Sequence, residues 1–173
     1  MSQAIDDLKH EHSAIISALR VLDRMDDKIE RGEKVDGGDM GRLLGFFKEF
    51  VDTCHHGKEE GILFPSLAKA GIPENGKPVS ELLTEHTQGR KLIKEMENAV
   101  TRGPDSKAFA DAGKEYSAKL RTHIQKETLD LFPTAERTLS QYQLDSLYEA
   151  FEQYENDVIG AGRHEQLHHV LDD

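Results

Sequence analysis

The sequence of 173 residues predicts an all-α protein, an up-down-up-down four-helix bundle with an added C-terminal helix. Three observations predict this fold. Five segments carry apolar residues three and four positions apart, which places those residues on one face of a helix. Leu, Ala, Glu and Lys are frequent and Trp is absent, a composition that favours helices over strands. Stretches rich in Gly, Pro and charged residues separate the segments and predict loops.

The first helix is predicted from about Ile5 to Arg31. Its buried stripe comprises Ile5, Leu8, His12, Ile15, Leu19 and Leu22. After a Gly-rich loop at 32–38, Asp39 is the predicted N-cap of the second helix. The stripe of that helix comprises Leu43, Phe47, Val51, His55, Glu59 and Ile62. Pro65 should end or kink it, because proline removes a backbone hydrogen bond and clashes with the preceding turn.

The third helix is predicted from about Ser80 to Thr101, and its stripe comprises Leu82, His86, Gly89, Ile93, Met96 and Val100. A turn at 102–105 leads to the fourth helix, whose stripe comprises Phe109, Tyr116, Leu120, His123, Glu127 and Leu131. Pro133 repeats the interruption at Pro65. Ser140 is the predicted cap of a fifth helix that ends near Val158. We expect residues 1–139 to form the bundle and residues 140–173 to form a helix and tail packed on it.

Charge and composition limit the classes of partner. The 22 Lys and Arg residues against 33 Asp and Glu residues give a net charge of −11, which argues against nucleic acid or an anionic membrane as a partner. No apolar run approaches the roughly 20 residues of a membrane span, and no signal peptide is visible. A single cysteine, Cys54, cannot form an internal disulfide. These features predict a cytoplasmic protein.

Two motifs occur twice, in the same order. The motif L-x-x-E-H-[ST] occupies residues 8–13 and 82–87. The motif H-x-x-K-E-x-x-x-L-F-P occupies residues 55–65 and 123–133. This internal repeat predicts two similar helical hairpins with pseudo-two-fold symmetry, each of which contributes half of one shared site.

Histidine and glutamate residues lie on the buried stripes of all four bundle helices. They are His12, His55, Glu59, His86, His123 and Glu127. Burying four imidazoles and two carboxylates together is costly unless each finds a partner, and two divalent cations would satisfy all six. The His-x-x-x-Glu spacing places both side chains on one helix face. A single metal ion with leftover ligands, or a polar core without metal, is the alternative.

The ligand types also indicate which metal to expect. Nitrogen and oxygen ligands without thiolate favour iron or manganese, with zinc or copper as alternatives. We expect two iron ions with an oxo or hydroxo bridge and rank manganese and zinc lower. A change of His86, but not of His56, should therefore lower the bound iron.

At these residues the chain resembles the hemerythrin-like family, whose members are also called HHE cation-binding domains. The resemblance covers the span from Leu8 to Pro133 and implies a four-helix bundle with a non-haem di-iron centre held by the six residues above. The oxygen carriers of invertebrates have a second histidine where Arg90 stands here, and they space the last ligand pair by five residues rather than four. The ligand set is closer to di-iron proteins of the nitric oxide response and of iron-centre repair.

The resulting interpretation is a di-iron protein that binds or reacts with a small oxidant, namely O2, peroxide or NO, in sensing, stress response or detoxification. An oxidoreductase that consumes peroxide or NO is the catalytic version, and the sequence leaves the choice open. An iron-donor or repair protein, and a single-metal structural bundle, are the alternatives. The expected partners are the small diatomic or peroxide ligand and an electron-donor protein. The chain would act as a monomer or homodimer.

Several neighbours of the six residues admit two interpretations. His56 and Glu60 repeat the ligand spacing one position later, but a regular helix would place them on a polar face, so the inner pair is preferred. Glu11 and Glu85 could accept hydrogen bonds from the ligands, although surface positions are expected. Tyr116 is the candidate catalytic residue near the cavity, and core packing is its alternative.

Three further residues are expected to have structural roles. Arg90 should form a surface salt bridge, although it could also reach a bound anion. Cys54 should fill space in the core. His164 and His168 lie one turn apart and could bind a surface ion, but we expect both in a solvated, frayed tail.

Overall fold

The computed structural model describes residues 2–101, 105–160 and 162–170, and all regular structure within these ranges is helical. The prediction of an all-α bundle with an extra helix is therefore confirmed. The α-helices are α1 (Gln3–Glu30), α2 (Gly37–Phe46), α3 (Phe64–Lys69), α4 (Val79–Thr101), α5 (Ser106–Lys126), α6 (Phe132–Thr138), α7 (Gln141–Val158) and α8 (Arg163–Val170).

Two of the bundle helices are composite. Composite helix A, residues 37–69, runs from α2 through the π-helical segments Phe47–His56 and Glu59–Leu63 into α3. Composite helix B, residues 106–138, runs from α5 through the π-helical segment Glu127–Leu131 into α6. The bundle consists of α1, composite helix A, α4 and composite helix B.

Of the two outcomes predicted at Pro65, an end to the second helix is wrong, because composite helix A continues to Lys69. The preceding turn is π-helical, and its last amide, the N–H of Phe64, donates to the carbonyl of Glu59 five residues back. A wider turn of this kind accommodates the proline ring, which would clash with the carbonyl four residues back in an α-helix. The second copy of the repeat accommodates Pro133 in the same way, because the N–H of Phe132 donates to the carbonyl of Glu127.

Side-chain caps mark the starts of several helices. Asp36, not the predicted Asp39, caps α2, since its side chain accepts from the amides of residues 38 and 39. Asp105 caps α5, since its side chain accepts from the amide of Ala108. Ser140 caps α7 in a capping box with Gln143, as predicted. The predicted turn at 102–105 falls mostly on residues 102–104, which lie outside the described residues.

The C-terminal region departs from the predicted frayed tail, because residues 163–170 form α8. Helix α7 packs against α1 and against both π-helical segments of composite helix A, and α8 packs on the first of those segments. Within the described ranges, no helix is long and apolar enough to cross a membrane.

Apolar side chains form two clusters, one on each side of the middle of the bundle. The larger cluster joins the C-terminal half of α1 to α2, α4 and α5, and it includes Phe46, Phe47 and Phe50. The second joins the N-terminus of α1 to α3, α6 and α7, and it includes Phe64 and Phe132. The space between the clusters is occupied by buried polar side chains.

Candidate metal centre

The six residues predicted as ligands converge between the two apolar clusters, and each is at most 5% exposed. They come from all four bundle helices: His12, His55, Glu59, His86, His123 and Glu127. Helix α1 supplies His12, and helix α4 supplies His86. Each composite helix supplies one histidine and one glutamate, which lie in or beside its π-helical turns. The internal repeat therefore places like residues opposite one another.

The Glu127 carboxylate lies between two imidazoles from different helices. Its Oε1 atom is 3.1 Å from Nε2 of His12 and 3.4 Å from Nε2 of His123. The Glu59 carboxylate repeats this arrangement. Its Oε1 atom is 3.4 Å from Nε2 of His86 and 3.8 Å from Nε2 of His55. All four imidazoles thus direct Nε2 toward the two carboxylates.

The ligand atoms fall into two adjacent groups that share Glu59. Within each group, one nitrogen or oxygen from every member lies within 4.8 Å of the others. The first group comprises His12, His55, Glu59 and Glu127, and the second comprises His56, Glu59, His86 and His123. A carboxylate that belongs to both groups is suited to bridge two cations.

Several buried atoms of the centre have no hydrogen-bond partner among the described residues. They are Nε2 of His55, both carboxylate oxygens of Glu59, and Oε2 of Glu127. Leaving such atoms unsatisfied costs free energy, more so where the group is charged. Nitrogen and carboxylate oxygen atoms are ligands of iron, manganese and zinc, so cations between them would satisfy these atoms.

The Nε2 atoms of His86 and His123 face each other at 3.1 Å. Two unprotonated imidazole nitrogens at this distance repel, so a proton or a cation must lie between them. Burial works against protonation of His123, but the carboxylates of Glu127 and Glu85 raise its pKa to about 9. In the metal-free chain a proton fills this position.

Burial and neighbouring charges shift the pKa values of Glu59, Glu127 and His55 in different directions. Burial and the nearby charge of Glu127 raise the pKa of Glu59 well above its usual value. Burial also opposes ionisation of Glu127, but the positive charge of His123 holds the pKa of Glu127 well below its usual range. Burial lowers the pKa of His55 to about 4, so this imidazole is neutral, as a metal ligand must be.

A second layer of hydrogen bonds holds the outward Nδ1 atoms of the four imidazoles. Three of the partners are carboxylates at 2.8 Å: Glu11 for His55, Glu60 for His86 and Glu85 for His123. The fourth is the Thr128 hydroxyl, 3.0 Å from His12. A carboxylate that accepts from Nδ1–H leaves Nε2 unprotonated and raises its basicity toward a metal.

The hemerythrin HHE cation-binding domain model matches residues 3–135 of the chain. The chain belongs to this family. The match extends from the start of α1 into α6 and includes all six residues. Neither the curated proteins nor the solved structures compared with the chain gave a match.

The expectation that Glu11 and Glu85 are surface acids is wrong for this hemerythrin-like domain. Glu11 is buried, and Glu85 is partly buried beside Lys126. Both precede a histidine in the repeated E-H motif, but each bonds a histidine of another helix rather than its neighbour. The repetition of the motif was the signal for their role.

The expected position of His56 away from the site is also wrong, although its Nδ1 does lie 3.6 Å from Asp52 of the predicted polar face. His56 is buried, and its ring stacks on the His86 ring with centroids 3.7 Å apart and planes 15° from parallel. Because residues 47–56 are π-helical, the fourth and fifth residues after Val51 both lie near its face. A regular α-helical projection does not predict two adjacent inward histidines.

Tyr116 and Arg90 line a cavity beside the centre, together with His86 and His123. Tyr116 is buried, its ring lies 5.0 Å from that of Phe47, and burial raises the pKa of its hydroxyl. Arg90 donates to Asp52 at 2.8 Å and also to Glu60, so the predicted salt bridge is confirmed.

Cys54 and His164 lie on the opposite side of the centre. Cys54 is buried, as expected, and its sulfur lies within 4.8 Å of ligand atoms of Glu155 and His164. His164 is not solvated as expected, because its Nε2 lies 3.0 Å from Oε2 of Glu11. The side chain of His168 lies outside the described part of the chain.

Proposed function

We propose that this hemerythrin-like domain holds two iron ions at the six converging residues and binds or reacts with a small oxidant. The observation that carries the proposal is the position of Glu59, which belongs to both ligand groups and whose two oxygens lack hydrogen-bond partners among the described residues. A buried carboxylate in this state fits a bridge between cations better than a lone charge.

The first ligand group offers two imidazoles and the second offers three, and Glu59 belongs to both. His12 and His55 would hold one ion, and His86 and His123 would hold the other. Mixed nitrogen and oxygen ligation without thiolate supports iron, with manganese or zinc as the competing metals. When bound, a pair of irons supplies two electrons and open positions for O2, NO or peroxide.

The chain's own residues fix and insulate this chemistry. The carboxylates of Glu11, Glu60 and Glu85 orient the imidazoles through Nδ1. The two apolar clusters exclude water above and below the centre. Such a site suits sensing, stress response or detoxification in the cytoplasm, a reducing compartment in which the single cysteine of the sequence stays reduced.

Metal analysis and visible absorption of the protein purified from its native host test the proposal. We expect about two irons per chain and an absorption band that changes when O2, NO or peroxide is added. In Glu59→Gln, iron should fall to about one per chain or less, because the neutral amide is a poor bridging ligand. In the matched control, Glu115→Gln on the exposed side of α5, iron should not change.

Three results would overturn the proposal: one metal ion per chain, a zinc-only colourless protein, or equal iron in both variants. Rapid loss of iron to a mild chelator, without any response to an oxidant, would favour the iron-donor alternative. Repeated consumption of peroxide or NO would identify an enzyme, whereas a stoichiometric, reversible adduct would identify a carrier or sensor.

A further inference from the structure

A cavity of about 210 Å³ lies between composite helix A, α4 and composite helix B. Its buried end is formed by three imidazoles, those of His56, His86 and His123. Its middle is lined by the buried side chains of Leu92, Ile93, Tyr116 and Leu120. Its outer end carries exposed charged residues and therefore faces solvent.

The cavity is much larger than a diatomic molecule or peroxide requires. One water molecule occupies about 30 Å³ of the liquid, and an apolar cavity of about 150 Å³ binds benzene. A volume of about 210 Å³ would thus hold roughly eight non-hydrogen atoms, scaled from benzene.

We propose that this cavity binds a small, uncharged organic molecule, with its apolar body against Leu92, Ile93 and Leu120 and one polar group toward His86 and His123. The aliphatic wall and the Tyr116 ring offer the apolar surface typical of small-molecule sites. Nδ1 of His86 and Nδ1 of His123 already bond carboxylates, so the ligand's polar group would be oriented from the Nε2 side of these two rings, at the position between them. This inference deepens the proposed function, because the polar group would point at the cation position held by those two histidines.

Charges at the mouth favour an uncharged ligand. Lys48 donates to Glu97 at 2.8 Å, and Arg90 donates to Asp52 at 2.8 Å. Both ion pairs join composite helix A to α4, and the lining as a whole is nearly balanced in charge, with four cationic side chains (Lys48, Arg90, Lys94 and Lys119) against three carboxylates (Asp52, Glu85 and Glu97). Exposed pairs of this kind are weak, so they can separate to admit a ligand.

Gly89 provides a way to fill the cavity without disturbing its walls. It lies on α4 among the lining residues, and a Cβ atom added there would meet nothing within 4 Å. A larger side chain at this position would occupy the space proposed for the ligand. Gly45 in α2 is a matched control, because it is also helical, is exposed, and has open space at its Cβ position.

The test is a titration of ¹³C-methyl-labelled, diamagnetic protein, either zinc-loaded or metal-free, with benzyl alcohol. We expect saturable shifts of the Leu92, Ile93 and Leu120 methyl groups, with a dissociation constant of about a millimolar or below. Methyl groups of the other apolar cluster, such as those of Leu144, should not respond.

Gly89→Leu should weaken binding about tenfold or more, and Gly89→Ala should weaken it less. Gly45→Leu should bind as the wild type does. The circular dichroism and melting temperature of each variant establish that it is folded, and Gly89→Ala keeps the test valid if Gly89→Leu does not fold. Absence of saturable shifts in the wild type, or equal affinity in Gly89→Leu and Gly45→Leu, would overturn the inference.

The methyl titration and the metal analysis of protein purified from its native host separate this inference from the proposed function. Benzyl alcohol binding in the titration, together with no iron in the native-host protein, would support the cavity and reject the di-iron centre. Two irons per chain without saturable methyl shifts would support the centre and reject the organic ligand.

Discussion

Oε1 of Glu11 in α1 lies 2.8 Å from Nδ1 of His55 in composite helix A, and both side chains are almost wholly buried. The other oxygen of Glu11 accepts from the buried ammonium of Lys58 at 2.6 Å. Hydrogen bonds from His164 and His55, together with the charge of Lys58, hold the pKa of Glu11 well below its usual value despite its burial. An ionised Glu11 keeps the proton of His55 on Nδ1 and leaves Nε2 available to a cation.

Replacing Glu11 with Gln should therefore weaken metal binding without removing a ligand. The amide can still occupy the space, but it no longer stabilises the Nδ1–H tautomer through a charge. We expect iron affinity to fall about 10- to 100-fold, the range for outer partners of metal-binding histidines. Competition with a chelator of known affinity measures the change.

Glu149→Gln on the exposed face of α7 is the control for the Glu11 variant and should not change iron affinity. Unchanged affinity in Glu11→Gln would mean that the His55–Glu11 bond does not set the tautomer. The melting temperature should be recorded in parallel, because Lys58 loses one of its two carboxylate partners.

The stacked pair His56 and His86 makes a second prediction. Phe keeps an aromatic ring of similar shape but cannot bind a metal, so His86→Phe should lose about half or more of the bound iron. His56→Phe should keep the wild-type amount, because His56, although a member of the second ligand group, forms no ion pair with Glu59 or Glu127 in the described structure, whereas Nε2 of His86 lies 3.4 Å from Glu59. Equal loss in both variants would identify His56 as a ligand.

The fold was largely predictable because apolar spacing, caps and loops agree along the chain. The stripes that carry His12, His86 and His123 follow regular α-helices, so a constant rotation per residue placed them correctly inside. The assumption of a constant α-helical rotation per residue failed at His56, because His56 lies in a π-helical segment with a smaller rotation per residue. Nothing in the local pattern around Glu11 shows that its partner is His55, which lies 44 residues away.

Asp26 was not predicted to be buried, although it lies in line with the stripe of α1. It is fully buried, and neither carboxylate oxygen has a hydrogen-bond partner among the described residues. Burial, with a smaller effect of Asp23, raises its pKa to about 8. A sequence pattern cannot show that a carboxyl about four helical turns from His12 is held in its neutral form.

Asp26→Asn should stabilise the protein at neutral pH. An unfolded aspartate has a pKa of about 3.9. Between about pH 4 and pH 8 the folded chain thus holds a proton that the unfolded chain releases, and the free energy of unfolding falls as pH rises. An asparagine side chain does not ionise in the unfolded chain, so we expect Asp26→Asn to raise the free energy of unfolding by about 1–3 kcal/mol at pH 7.

Urea unfolding of the wild type and the Asp26→Asn variant at several pH values measures this gain. The difference should be small near pH 4, grow toward pH 8 and then level off. Asp27→Asn, at an exposed neighbouring position of α1, is the control for removing one carboxylate from this helix. A gain that does not vary with pH would mean that Asp26 is ionised in the folded chain.

The approach of α1 to α5 at Asp26 depends on the absence of a side chain at Gly113. A Cβ atom at residue 113 would lie 2.6 Å from Oδ2 and 2.9 Å from Oδ1 of Asp26. Gly113→Ala should therefore destabilise the protein by about 1–3 kcal/mol, the usual cost of overpacking, despite the better helix propensity of alanine.

In a protein that lacks the Asp26 carboxylate, Gly113→Ala should no longer destabilise the fold. In an Asp26→Ala background the clashing oxygens are gone, so Gly113→Ala should be neutral or stabilise by up to about 1 kcal/mol through helix propensity. Urea unfolding of the four proteins in this double-mutant cycle gives the interaction free energy directly. Gly45→Ala, where a Cβ meets nothing within 4 Å, supplies the propensity gain alone. If Gly113→Ala costs the same in both backgrounds, the close contact between α1 and α5 is set by backbone packing rather than by Asp26.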